Sequence, residues 1–281
     1  MRAEQCTDPV AYHAEGPVWS AAWGGLRWVD MLAGDILALT DAGEITRRHV
    51  GTIAAAVRPR RGGGAVIGVE RGFCLEDADG ALTQLGDVWT DAGIRMNEGA
   101  CDPDGRFYCG SMAYDKQPGA AALYRLDPDL SVHTVLGGVT VSNGLDWSPD
   151  GSLAYYNDTD THSIAVLDYD RDTGLTGMRA FVVMPDDERP DGLTVDGQGG
   201  VWVAINGLGE VRRYTPDGRL DGVVRVAARK VTACAFGGSA LDQLFITTSR
   251  EDLQPGEDPL AGSLFRADVH VTGMPVREFA G

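Results

Sequence analysis

The chain is short of basic charge. Of its 281 residues, 24 are Lys or Arg and 41 are Asp or Glu, leaving a formal net charge of −17. A surface this acidic repels phosphate backbones and anionic headgroups, which argues against nucleic acid and membrane as partners. No run approaches the roughly 18 apolar residues of a spanning helix. Met1 to Gly16 carries no basic start followed by an apolar stretch, so no signal peptide is expected. The five cysteines, Cys6, Cys74, Cys101, Cys109 and Cys234, are odd in number and form no CxxC pair. They predict packing thiols in a reducing, cytoplasmic setting. There is no Gly-x-Ser-x-Gly elbow, hence no serine nucleophile of that kind. Arg61-Gly62-Gly63-Gly64 lacks the Lys-Ser/Thr of a phosphate loop and reads as a hairpin turn. The five histidines, His13, His49, His133, His162 and His270, show no ligand spacing; His13, two residues before Glu15, could flank a site there, but a strand edge or surface position is expected first.

Glycine is plentiful, with 38 residues, while helical periodicity is scarce. That combination predicts many short strands joined by turns. One unit recurs: a polar or small residue, Gly, a few apolar positions, a turn, then an apolar strand. Glu98-Gly99 leads through Asp102-Pro103-Asp104-Gly105 to Phe107-Tyr108-Cys109. Asn143-Gly144 leads through Ser148-Pro149-Asp150-Gly151 to Leu153-Ala154-Tyr155-Tyr156, and Asp191-Gly192 through Asp196-Gly197-Gln198-Gly199 to Val201-Trp202-Val203. Weaker copies start at Glu15-Gly16, at Ala54-Ala55 and at Thr232. Further strands follow at Ile36 to Thr40, Gly72 to Glu76, Leu123 to Asp127, Ile164 to Tyr169, Val211 to Thr215 and Leu264 to Ala267. Six units at roughly 40 to 50 residues each fit four strands apiece. The expectation is an all-β chain folded as a six-bladed β-propeller with four-stranded blades. Even spacing and the lack of a Pro- or Ser-rich linker disfavour two β-sandwiches and predict a single domain over residues 1–281. The N-terminal strand is expected beside the C-terminal blade, because closure removes exposed edges.

In a propeller the innermost strands line a central channel, so equivalent repeat positions form a ring. Aligned on the polar-residue-Gly pair, Glu15, Glu98, Asn143 and Asp191 share one position, with Ala54 or Ala55 and Thr232 in the other units. Gly at the next position suits close approach of backbone and ligand. Carboxylates gathered this way repel one another unless a cation neutralises them. The oxygens of Glu15, Asn143 and Asp191 favour one hard divalent cation: Ca²⁺ first, with Mg²⁺ or Mn²⁺ as alternatives and Zn²⁺ or Fe²⁺ less natural.

These residues resemble a known family. Glu15-Gly16-Pro17, Arg95-Met96-Asn97-Glu98-Gly99, Ser142-Asn143-Gly144-Leu145-Asp146-Trp147 and Pro190-Asp191-Gly192, in this order, look like the SMP-30/gluconolactonase/LRE family of sugar lactonases and regucalcin. The resemblance spans essentially the whole chain. It implies a six-bladed propeller with one divalent cation held by Glu15, Asn143 and Asp191. It implies that Arg95 and Asn97 hold substrate. Many relatives carry Asp where this chain has Glu98, and some place Glu where Tyr114-Asp115 stands here, so Asp115 is a candidate polyol contact.

The implied partner is a small sugar lactone, an aldonolactone such as gluconolactone. Opening that ring requires a polarised carbonyl, an activated water and a site for oxyanion charge. A divalent cation supplies the first and third. Asp191 is the first choice of base for the water and Glu98 the second. Arg95 offsets developing negative charge, and Asn97 donates to the same oxygen. Alternatives are a non-catalytic calcium-binding, regucalcin-like protein and a phosphotriesterase-like propeller hydrolase. Asn157-Asp158-Thr159-Asp160 offers oxygens for a second cation but reads first as a polar turn. Asp186-Asp187-Glu188-Arg189 reads as a solvated loop that could rim the channel. Specificity is expected from loops near Arg58, Tyr114 to Pro118 and Asp186 to Pro190. Trp19, Trp147 and Trp202 read as packing between blades, and Cys101 and Cys109 as buried thiols.

Overall fold

A computed structural model describes residues 1–40 and 42–281. Strand β1 (Glu4–Gln5) precedes six antiparallel sheets. Blade 1 holds β2 (Ala14–Ser20), β3 (Gly25–Asp30), β4 (Asp35–Thr40) and β5 (Ile45–His49). Blade 2 holds β6 (Ala54–Pro59), β7 (Ala65–Val69), β8 (Gly72–Glu76) and β9 (Leu82–Asp87). Blade 3 holds β10 (Ile94–Cys101), β11 (Phe107–Ala113), β12 (Ala121–Leu126) and β13 (Val132–Val139). Blade 4 holds β14 (Ser142–Trp147), β15 (Leu153–Asp158), β16 (Ser163–Asp170) and β17 (Gly174–Val183). Blade 5 holds β18 (Arg189–Val195), β19 (Val201–Asn206), β20 (Glu210–Tyr214) and β21 (Leu220–Arg225). Blade 6 holds β22 (Val231–Gly237), β23 (Gln243–Thr248) and β24 (Phe265–Asp268), and β1 completes it by pairing Glu4 with Arg266 and Gln5 with Phe265. The chain is a six-bladed β-propeller, closed by its N-terminal strand.

The hairpin turns between first and second strands arise as their sequence predicts. In blade 3, Asp102 Oδ1 accepts from the N–H groups of Asp104 (3.0 Å) and Arg106 (2.8 Å). In blade 5, Asp196 Oδ1 does the same for Gln198 and Gly200, both at 2.9 Å. Each aspartate thus nucleates its turn by satisfying local backbone donors.

Aromatic pairs join neighbouring blades. Phe73 meets Phe107 at 5.9 Å, Tyr108 meets Trp147 at 5.4 Å, and Trp202 meets Phe236 at 5.8 Å, each edge-on. Such pairs contribute about 0.5–1.5 kcal/mol beyond their buried area. Trp147 and Trp202 are buried between blades as expected, while Trp19 is only half-buried. Cys74, Cys101, Cys109 and Cys234 are buried free thiols.

All six innermost strands share an irregularity near their starts. Register slips between Glu15 and Val18, Ala54 and Ala56, Met96 and Gly99, Ser142 and Leu145, Pro190 and Leu193, and Val231 and Ala233. A bulge re-aims side chains, and in blades 1, 3, 4 and 5 Glu15, Asn97, Asn143 and Asp191 at or beside it line one cavity. At Gly144 and Gly192 the glycine is required by the next blade, whose backbone or side chain leaves no room for a Cβ. A Cβ at Gly144 would stand 2.6 Å from Leu193 N and 2.7 Å from Asp191 O. One at Gly192 would stand 2.4 Å from Ala233 Cβ.

The C-terminal segment crosses the face where the innermost strands end. Gly197 N donates to Thr272 O (2.8 Å) and Gly273 N to Leu241 O (2.7 Å). Arg277 Nη2 reaches Ser148 O at 2.9 Å. Phe279 N donates to Pro59 O (2.8 Å) and Ala280 N to Gly105 O (2.9 Å). The tail therefore straps five blades together, and a cavity of about 80 Å³ at that end is lined by Met274 to Arg277, Arg58 and Asp146. Among the described residues no helix is long and apolar enough to cross a membrane.

Candidate metal and substrate site

At the opposite end the innermost strands begin, and a cavity of about 640 Å³ opens. Glu15 from β2, Arg95 and Asn97 from β10, Asn143 from β14 and Asp191 from β18 all line it. All five are buried. The fold thus brings together residues spread over about two-thirds of the chain because each occupies the bulge region of an innermost strand.

Three of them offer oxygen. Glu15 Oε2 accepts from Gly16 N at 3.1 Å. Asn143 Nδ2 donates to Thr159 Oγ1 at 3.1 Å, while its Oδ1 is buried without a partner. Asp191 Oδ2 accepts from Asn206 Nδ2 at 2.8 Å, while its Oδ1 is likewise buried without a partner. Leaving a buried acceptor unsatisfied costs about 1–3 kcal/mol. Two such oxygens lining one cavity beside a third carboxylate fit a cation, which both would accept as ligand. Among the described residues no group of three or more His, Cys, Asp or Glu side chains has metal-holding geometry; the fitting set is two carboxylates and an amide. Its all-oxygen chemistry suits a hard divalent ion.

Electrostatics agree with that fit. Burial pushes Glu15 well above the usual carboxylate range, and the charges of Asp191 and Glu98 push the same way. Burial raises Asp191 to about 7, opposed by the nearby amides of Asn206 and Asn143 and reinforced by Glu98. Nearby positive charge would relieve all of them.

Glu98 lies deeper. It is not on the cavity wall; its Oε1 accepts from Gly99 N at 2.9 Å and from Arg58 Nη2 at 3.4 Å. A Cβ at Gly16 would stand 3.6 Å from that same oxygen, which places Glu98 beneath the Glu15-Gly16 corner. Burial raises its carboxyl, opposed by Arg58.

Arg95 has only neutral partners: its Nη1 donates to Met96 O (3.0 Å) and Asn97 Oδ1 (2.8 Å) and lies 3.0 Å from Met31 Sδ. Its Nε is buried with none. A buried guanidinium with an unused donor is ready for a ligand oxygen. Tyr114 spreads its ring 5.8 Å from the guanidinium carbon. Asn97 Nδ2 donates to Ser142 O at 2.8 Å, so this amide bridges blades 3 and 4 as well as Arg95.

Several expectations are corrected. Asp115 does not line the cavity: it is exposed in the turn after β11, with Oδ1 accepting from Gln117 N at 3.1 Å, and the next residue, Lys116, reaches the wall instead. His13 is neither at the surface nor on an open edge. It is buried on the cavity wall, with Nδ1 2.7 Å from Ser249 Oγ, because the residues before β2 pair with blade 6. Burial pulls His13 down to about 3, aided by Arg95 and Lys230, so the imidazole is neutral. Arg58, near which the sequence reading places a specificity loop, sits in β6, reaches Glu98 and lines the small cavity at the other end, not this one. Asn157 and Asp158 belong to β15, and only Thr159 and Asp160 start the turn. Asp187 and Arg189 do rim the cavity, while Glu188 pairs with Arg212. Sequence reasoning missed Thr159, Asn206, Lys230 and Glu251, none of which sits at the repeat position that marked the others.

Residues 13–250 match the SMP-30/Gluconolactonase/LRE-like region. Regucalcin of Oryctolagus cuniculus is 34% identical over 295 residues, covering 99% of this chain and 98% of its own length. The protein named "Putative sugar lactone lactonase YvrE" of Bacillus subtilis (strain 168) is 34% identical over 286 residues, covering 98% and 97%. Among solved structures, a calcium-binding protein, regucalcin, from Agrobacterium tumefaciens superimposes with a TM-score of 0.94 at 25% identity, covering 99% of this chain and 97% of that one. A match over most of the length, on the same ring of blades, places this chain in the SMP-30/gluconolactonase/LRE-like family.

Proposed function

We propose that this protein is a divalent-metal-dependent lactonase that opens a small sugar lactone, such as an aldonolactone, to the corresponding hydroxy acid. The observation that carries the reading is the pair of partnerless buried oxygens, Asn143 Oδ1 and Asp191 Oδ1, in one cavity with Glu15 and the neutral-partnered Arg95. The lactonase name of the Bacillus subtilis relative and the calcium-binding title of the Agrobacterium structure support it.

Glu15, Asn143 and Asp191 would hold the ion, with Ca²⁺ first in order. When bound, it supplies Lewis-acid polarisation of the lactone carbonyl and stabilises oxyanion charge. Asp191 accepts the proton of the attacking water at Oδ1. That assignment is preferred over Glu98 because Glu98 is recessed and engaged by Gly99 N and Arg58. The water oxygen bonds to the lactone carbonyl carbon, and as the ring C–O bond breaks the leaving oxygen takes back the proton held by Asp191, so the product is an open hydroxy acid. Arg95 directs its free Nε–H edge to substrate oxygens and offsets their developing charge. Asn97 holds the Arg95 guanidinium in place through Oδ1. The buried, unpaired thiols suit a reducing compartment such as the cytoplasm.

The test is base consumption on a panel of sugar lactones, with and without chelator. Hydrolysis that chelator abolishes and added Ca²⁺ restores is the expected result. No chelator-sensitive turnover on any lactone would leave an ion-binding propeller without this activity.

A further inference from the structure

We infer that Thr159 is a positioning residue that fixes which end of the Asn143 amide faces the ion, an inference that rests on the metal site proposed above. The argument is one of hydrogen-bond direction. Thr159 Oγ1 lies 2.9 Å from Pro190 O and 3.1 Å from Asn143 Nδ2. A carbonyl oxygen only accepts, so the threonine hydroxyl spends its single proton on Pro190 O. What it then offers Asn143 is a lone pair. Only the NH₂ end of an amide can meet a lone pair, so Nδ2 turns to Thr159 and Oδ1 is left on the other side, buried with no protein partner.

A flipped amide would aim two N–H groups at the cation and set oxygen against oxygen at Thr159. The threonine therefore selects the ligating rotamer before any ion arrives. The same relay touches both ligands, since Pro190 precedes Asp191. Pro190 O is held a second time by Asn157 Nδ2 at 3.0 Å. Asn157 and Thr159 are buried and come from blade 4, while Pro190 belongs to β18 of blade 5. The chain Asn143–Thr159–Pro190 thus ties an amide ligand of one blade to the carboxylate ligand of the next. Outer partners of this kind commonly alter metal affinity by about ten- to a hundredfold.

The experiment is calorimetric titration with Ca²⁺ alone, without substrate. Wild type, T159V, T159A and T159S are compared, with E15Q as the control for the site itself. T159V and T159A are expected to bind Ca²⁺ about ten- to a hundredfold more weakly, at unchanged far-UV circular dichroism, and T159S to bind like wild type. Alanine carries the same question if valine does not fold. In an N143D background the T159V effect should shrink, because a carboxylate presents oxygen whichever way it turns. Folded T159V or T159A with wild-type affinity, or an equal T159V loss in the N143D background, overturns the assignment. Absence of any divalent-ion binding by wild type, across Ca²⁺, Mg²⁺, Mn²⁺ and Zn²⁺, would instead remove the metal site and this inference with it.

Discussion

Asn206 Nδ2 donates to Asp191 Oδ2 at 2.8 Å, across the first two strands of blade 5, and leaves Oδ1 as the only uncommitted oxygen of that carboxylate. One side chain thereby converts a symmetrical group into one with a held end and a free end. N206A should keep the fold and weaken Ca²⁺ binding about tenfold. Calorimetry on the purified variant decides it; unaltered affinity would show that Asp191 needs no such restraint.

Asp191 itself carries two duties in the proposal, as ligand and as base. D191N keeps shape and one oxygen but loses proton affinity. Lactone hydrolysis should fall by at least about a hundredfold, even in Ca²⁺ high enough to restore occupancy. Turnover near wild type at full occupancy would transfer the base role to another residue.

Arg95 has no carboxylate among its hydrogen-bond partners to neutralise it, so its charge is free for substrate. Hydrogen bonds to charged groups contribute about 1.5–3 kcal/mol, which is roughly ten- to a hundredfold in rate or affinity. R95Q should lower kcat/KM by that factor while leaving Ca²⁺ affinity unchanged. Equal losses of ion binding and turnover would mean that Arg95 acts on the metal site instead.

A pH effect should be measurable far from the site. Asp35 in β4 receives hydrogen bonds from Arg47 and His49, which outweigh burial and hold its carboxyl below the ordinary range. A depressed native value means the unfolded chain binds the extra proton. The stabilisation is therefore full above the unfolded pKa near 3.9 and fades as pH falls through the native value. D35N should melt at lower temperature than wild type near neutrality, and the gap should close as pH falls below about 4. A gap of constant size over that window contradicts the assignment.

Phe279, fully buried at 0% exposure, anchors the end of the C-terminal strap between β6 and the blade 3 turn. Phe→Ala at such positions costs about 3–5 kcal/mol. Urea unfolding of F279A should show a loss of that size; a loss under about 1 kcal/mol would mean the strap is dispensable to the ring.

The repeat was legible because its turns are written in local chemistry. Gly72 to Glu76 was read as a strand with the bounds of β8, since a glycine opens it and Asp77 begins the turn beyond. The polar-residue-Gly pair betrayed the innermost strands because a bulge and a close blade contact both act at that position. Thr159 and Asn206 were not legible, since each acts on a ligand far from it in sequence, through a hydrogen bond that exists only once strands are side by side. Asp115 and Lys116 differ by one residue in a turn, and Lys116 adopts φ 57°, a conformation nothing in the local sequence announces. His13 reads from sequence as a strand-edge or surface residue because its partner, Ser249, lies at the other end of the chain.

The tail that fastens the ring lies at the end opposite the large cavity. On the proposed function, lactone and hydroxy acid then share the mouth where the innermost strands begin, and accumulated acid should compete with fresh lactone for entry.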